Sequence, residues 1–141
     1  MLRNTLSDAE LKEIFRLHRL WMLKRAEGKQ ANFSKAFLEK CNFALTSLQY
    51  AIFKGASLRG ANLRGAILCK SCLDGANLTG ADLHAVNLNN VNLSSVNGIV
   101  RLSENELLVK GTNIIYTYDG TIWQEPYILT NYYLTRSRRS F

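Results

Sequence analysis

From Ala31 to Ser95 the chain repeats every five residues, thirteen units in a row without an insertion. Such periodicity decides the fold before any motif does, because each repeat must stack on its neighbours to bury its apolar side. The third positions are Phe33, Leu38, Phe43, Leu48, Phe53, Leu58, Leu63, Leu68, Leu73, Leu78, Leu83, Leu88 and Leu93, always Leu or Phe. The first positions are Ala31, Ala36, Cys41, Thr46, Ala51, Ala56, Ala61, Ala66, Ser71, Ala76, Ala81, Val86 and Val91, all small. A period of five fits neither a helix nor a plain strand, so the unit must be a short extended piece followed by a corner. In an extended piece residues two apart share a face, which turns the first and third positions inward and the second and fourth outward. Second positions are mostly Asn, Asp or Ser, and Gly55, Gly60, Gly65, Gly75 and Gly80 fall at the fifth, residue types that permit tight turns. Four sides then close a square coil of about 20 residues, and coils stack at the strand spacing of ~4.7–4.9 Å. Phe33 should lie over Phe53, Leu73 and Leu93 along one inner edge, and Phe43 over Leu63 and Leu83 along another.

This pattern resembles the pentapeptide-repeat family, whose repeat is written A-(N/D)-L-x-x. The resemblance is carried by Ala56–Gly65 (A-S-L-R-G-A-N-L-R-G) and Ala76–Ala85 (A-N-L-T-G-A-D-L-H-A) and covers about 65 of 141 residues. It implies an all-β solenoid, a right-handed quadrilateral β-helix of about three coils. Val96-Asn97-Gly98 begins a further unit but places Gly98 where Leu is required, so the coil is expected to stop there.

A stack this short leaves an open apolar end at each terminus, which would aggregate unless covered. The expected organisation is therefore an N-terminal capping helix in residues 1–30, the coil in 31–97, and a β cap with a basic tail in 98–141. Ser7–Glu10 reads as a capping box, and Leu11, Ile14, Phe15, His18, Trp21 and Met22 recur at helical spacing. These signals predict an amphipathic helix from Asp8 to Glu27, stopped by Gly28 and packed over the first coil. Beyond Gly98, segments 106–110, 113–118 and 121–124 are rich in β-branched and aromatic residues. Lys110-Gly111-Thr112 and Asp119-Gly120 between them are hairpin signals, so a β-meander is expected. Seven of the 14 aromatic residues fall in this last third, which points equally to a cap and to a homodimer or partner interface.

Chemistry-bearing residues are few. Cys69 and Cys72 form C-K-S-C, but the repeat sets them on either side of a corner, Cys41 lies on another side, and no further Cys/His cluster completes a metal site. His18 reads as a boundary residue of the cap helix, and His84 as an outward position. Phosphate loops, H-E-x-x-H and nucleophile elbows do not occur, so neither catalysis nor a cofactor is expected.

The net charge of +7 favours acidic partners. It is spread over the chain, and the coil carries only Glu39, Asp74 and Asp82 against Lys35, Lys40, Lys54, Arg59, Arg64 and Lys70. Glu39 with Arg59 and Lys54 with Asp74 sit one coil apart and read as weak exposed pairs. Some members of the family resemble duplex DNA in width and charge and inhibit type II topoisomerases. That mimicry needs a long acidic rod, and this wall is basic. Outward Phe37, Leu45, Tyr50, Ile52 and Ile67 break the polar rule of the wall.

The expected function is a non-enzymatic module that binds a protein partner. Its candidate contacts are Phe37, Tyr50, Ile52, Ile67, Lys54, Arg59, Arg64, Trp123, Tyr132, Tyr133, Arg136, Arg138 and Arg139. Direct nucleic-acid binding through the basic walls and tail is one alternative. Stoichiometric inhibition of a host or defence enzyme is another, implied because L-S-D-A-E-L-K-E-I with L-H-R-L-W is similar to the starts of short pentapeptide proteins of bacteria, phages and mobile elements. No run is long and apolar enough for a membrane span and the start lacks a signal-peptide centre, so a cytoplasmic location and no membrane partner are expected.

Overall fold

The computed structural model describes residues 5–112 and 114–128. Helix α1 (Asp8–Met22) precedes the repeat, and strands β1 (Ile99–Ser103), β2 (Glu106–Val109), β3 (Ile114–Tyr118) and β4 (Trp123–Ile128) follow it. Between them the repeat forms a solenoid. Its sides are joined by parallel bridges between second positions 20 residues apart: Asn32 to Ile52 to Cys72, Phe37 to Ser57 to Asn77 to Asn97, Asn42 to Asn62 to Asp82, and Ser47 to Ile67 to Asn87. The ladder reaches Asn97, immediately before the glycine that breaks the pattern.

Each corner is a β-turn closed by a bond from the next first position to the third, such as Ala56 N–H to the Phe53 carbonyl at 2.9 Å. All twelve fifth positions from Lys35 to Asn90 are left-handed, with φ between 58° and 72°. The second-position preference has a physical cause too. The side-chain oxygens of Asn32, Asn42, Asn62, Asn77, Asp82, Asn87 and Asn92 each accept the backbone N–H two residues on, at 2.9–3.0 Å, which pre-forms the corner.

Third positions fill the interior and all are buried except Leu93. Phe33 stacks on Phe53 at 4.9 Å, and Phe43 meets both edge-on at 5.6 and 5.8 Å. Leu93 and Val91 are half-buried instead. Their side lies against a groove of about 430 Å³ lined with Val96, Ile99 and Arg101, where no further rung among the described residues covers them.

Helix α1 starts as expected, with the Ser7 hydroxyl accepting the Glu10 N–H at 3.1 Å and Asp8 and Glu10 in the first turn, where the helix dipole favours them. It stops at Met22, five residues short of the expected Glu27. Lys24 turns left-handed at φ 60°, and the Arg25 and Lys29 amides reach back to the Leu20 and Leu17 carbonyls. Gly28 is needed for closeness and not as a stop: a Cβ there would lie 2.2 Å from the Trp21 nitrogen. Phe15 meets Phe43 at 5.6 Å, which sets α1 against the start of the coil.

The four strands form an antiparallel sheet in sequence order. β1 lay outside the expected meander, and its pairing with β2 across Glu104-Asn105 adds a strand. The sheet is tied to the last coil by Gly80 N–H to the Lys110 carbonyl (2.8 Å), Trp123 N–H to the Val86 carbonyl (3.0 Å), and the Tyr118 hydroxyl to the Asn89 side chain. Tyr116, 1% exposed, accepts the Leu83 N–H at 3.1 Å through its hydroxyl, which donates towards Asp82 at 3.4 Å. Burial pushes this phenol above its ordinary range. Tyr116→Phe leaves the Leu83 N–H buried and unpaired, and should cost about 1–3 kcal/mol in a denaturant titration.

Candidate functional site

A square coil sorts its outward residues by position along the 20-residue turn, and this separates most of the candidate contacts. Phe37 is half-buried on one wall, where its backbone bridges Thr5 and Ser57. Lys54, Arg59 and Arg64 are exposed at three successive corners and do not form a stripe. Arg64 is engaged by Asp82 at 3.3 Å, a pair one corner on from the expected Glu39–Arg59 pair. Trp123 is not a surface residue: it is 3% exposed, meets the Tyr118 ring at a tilt with centroids 5.1 Å apart, and is covered by the Arg101 guanidinium at 5.7 Å. With Tyr116 also buried, two of the aromatic residues that pointed to a C-terminal interface belong to the core. Tyr132, Tyr133, Arg136, Arg138 and Arg139 lie outside the described residues.

The remaining three, Tyr50, Ile52 and Ile67, are brought to one corner and the two walls that meet there. Tyr50 is 45% exposed, and α1 approaches it from the N-terminal end. Trp21 meets the Tyr50 ring edge-on at 6.4 Å, and Lys70, one coil further along the same corner, holds its ammonium 5.6 Å over the ring. Trp21, Met22, Lys24 and Tyr50 line a shallow groove of about 320 Å³. Gln30 fixes the corner from below by donating to the Tyr50 carbonyl at 2.7 Å. At the neighbouring corner Leu45 is 83% exposed and lies across Gly65, whose hypothetical Cβ would meet Leu45 Cδ2 at 2.6 Å.

Leu45 and Tyr50 occupy the left-handed fifth position, which this chain fills with glycine five times. A large L-residue there costs about 1–2 kcal/mol, and both side chains face water rather than the core. Folding therefore does not call for them. Trp21 and Lys24 were not among the candidates, because nothing in the five-residue pattern says where the helix lands; Lys70 was not among them although it stands 20 residues, one coil, from Tyr50. Leu45 had a readable signal, a bulky apolar residue in the corner slot.

Cys41 is buried and burial pushes its thiol up, with Asp8 and Glu39 adding to the effect. Cys69 and Cys72 are half-buried and free, and among the described residues no three His, Cys, Asp or Glu gather as a metal site. No helix among the described residues is long and apolar enough to cross a membrane.

Comparison with known proteins finds other pentapeptide repeat proteins. A pentapeptide repeat protein (Rfr23) from the cyanobacterium Cyanothece 51142 is similar at 39% identity, covering 50% of this chain and 51% of that one, with a TM-score of 0.41. A pentapeptide repeat protein of the Arabidopsis thaliana thylakoid lumen is similar at 33% identity over 48% of this chain and 50% of its own, with a TM-score of 0.33. HetL of Nostoc sp. strain PCC 7120, a pentapeptide repeat protein involved in heterocyst differentiation regulation, shares 27% identity over 50% of this chain and 36% of its own, with a TM-score of 0.26. The chain spans about half the length of the first two. Curated proteins gave no match. The family profile for pentapeptide repeats, a generally non-enzymatic repeat fold, matches eight copies over residues 29–65 and 61–97. Residues 29–97 are therefore a run of pentapeptide repeats of that family.

Proposed function

We propose that the protein is a non-enzymatic binding module that docks a protein partner at the Tyr50 corner. The observation that carries this reading is the pair of exposed apolar side chains, Leu45 and Tyr50, held in a backbone conformation that disfavours them. Around Tyr50 the charges are Lys24 and Lys70, and the chain as a whole carries +7, so the fitting partner presents an apolar side chain flanked by carboxylates. In this reading residues 1–30 and 98–141 close the two ends of the coil in 31–97 and keep it from stacking on other copies. The basic corners are too dispersed to favour a nucleic-acid groove.

The test is affinity capture with the wild-type chain, Leu45→Gly, Tyr50→Gly and the control Lys54→Ala. Leu45→Gly exchanges an exposed side chain in a strained position for glycine, so its stability should stay within about 1 kcal/mol of wild type. A partner retained by Lys54→Ala and lost with Tyr50→Gly supports the reading. Equal capture by all four overturns it. An enriched nuclease or topoisomerase would identify the module as an inhibitor.

A further inference from the structure

One side chain fastens α1 to the coil, and its chemistry allows it to let go. His18 is 0% exposed and uses both ring nitrogens. Nδ1 accepts the Ala31 N–H at 2.8 Å, and Nε2 lies 2.8 Å from the Gln49 carbonyl. A backbone N–H cannot accept and a carbonyl cannot donate, so Nδ1 must be bare and Nε2 must carry the proton. Only the neutral ring in this one tautomer fits. A second proton on Nδ1 would face the Ala31 N–H and leave two donors opposed in a site without solvent.

Among the described residues the setting offers no counter-charge. Trp21 of the same helix stacks on the imidazole at 5.4 Å, and Tyr50 of the coil lies beyond it. On the coil side the titratable groups near α1 are Tyr50, Glu39 and Cys41, whose thiol is pushed up by burial, with Asp8 and Glu39 adding to the effect. The charged residues of α1 (Asp8, Glu10, Lys12, Glu13, Arg16, Arg19) and of the following turn (Lys24, Arg25, Glu27, Lys29) are exposed, and Glu13 is paired with Arg16 at 2.7 Å. Burial lowers the tendency of His18 to take a proton, the Gln49 carbonyl offsets this in part, and no charged side chain contributes.

We propose that α1 is a proton-released latch: protonation of His18 undocks the helix and uncovers the aromatic end of the coil at Phe33 and Phe43. A histidine lowered in the folded state contributes stability that is complete above its unfolded value. The contribution falls as pH drops below about 6.5, and the loss levels off once the docked ring itself titrates. The groove between Trp21 and Tyr50 spans helix and coil, so release would also dismantle it, although the latch does not depend on that groove binding anything.

Amide hydrogen exchange of the full chain tests the idea between about pH 7.5 and pH 5. After correction for intrinsic rates, the opening constant at Ala31 and along α1 should rise by up to about tenfold per pH unit below about 6.5, while Leu63 and Leu68 stay protected. His18→Gln keeps a donor for the Gln49 carbonyl and cannot titrate, so its exchange should lose this pH dependence. Wild-type opening independent of pH, or the same dependence in His18→Gln, overturns the proposal. Should His18→Gln fail to fold, the wild-type ring resonances decide, and His18 titrating at or above about 6.5 overturns it equally.

Discussion

Leu63→Lys should abolish cooperative unfolding. Leu63 is 0% exposed at the third position of a central side, with Phe43 one coil below and Leu83 one coil above, both also fully buried. The ammonium has no route to water along a square coil whose walls are hydrogen-bonded rungs, here Leu63 N–H to the Asp82 carbonyl and Asn62 N–H to the Cys41 carbonyl, each at 2.9 Å. Losing the leucine forfeits about 1.5–3 kcal/mol of burial, and an unpaired buried charge adds several more. Together these rival the ~5–15 kcal/mol that holds a typical domain folded. Circular dichroism on heating should show no sigmoidal transition for this variant, whereas Leu45→Lys, at the 83% exposed corner, should melt like the wild type. A Leu63→Lys chain that melts like the wild type would mean that third positions do not point inward.

What could be read from the chain alone divides along a physical line. The coil was legible because each of its causes repeats: Leu58, Leu63 and Leu68 face inward for the same reason, and Asn42, Asn62 and Asn77 set their corners by the same two-residue bond. A translational fold writes its rule many times. Ser7 was legible because capping is local, closed within three residues. The helix end was not, since Gly28 answers to the backbone of Trp21 rather than to the turn it resides in. His18 read as a boundary residue because its two partners, Ala31 and Gln49, are 13 and 31 residues away. Trp123 misled for the same reason, its burial depending on a sheet that folds back onto Val86. For the candidate site, the pattern marked Tyr50 as an outward aromatic and its 20-residue coil stacks Lys70 on it, but only the tertiary fold sets Trp21 beside it.

The junction between coil and sheet depends on one missing methyl group, and Gly98→Ala should break it. Gly98 follows the last rung, has φ 86°, and accepts the Lys110 N–H at 2.8 Å through its carbonyl. A Cβ there would lie 2.3 Å from the Thr79 nitrogen, 2.5 Å from Thr79 Oγ1 and 2.8 Å from Asn77 Oδ1. Those three atoms are the Asn77–Thr79 corner itself, in which Asn77 Oδ1 accepts from both the Thr79 amide and its hydroxyl. Neither the corner nor the glycine can yield without cost, because Thr79 also precedes Gly80, whose amide binds the Lys110 carbonyl. Left-handed backbone strain of about 1–2 kcal/mol therefore adds to overpacking of about 1–3 kcal/mol. Gly120 supplies the control. At φ 103° it shares the left-handed backbone, but nothing lies within 4 Å of its Cβ direction, so Gly120→Ala should cost the strain alone, about 1–2 kcal/mol. Urea titration of both variants should separate them by the overpacking difference, and amide exchange at Lys110 should accelerate in Gly98→Ala while Leu63 remains protected. Equal losses in the two variants would mean that Gly98 serves only as a turn, and that the sheet is held to the coil by Trp123 and Tyr116 instead.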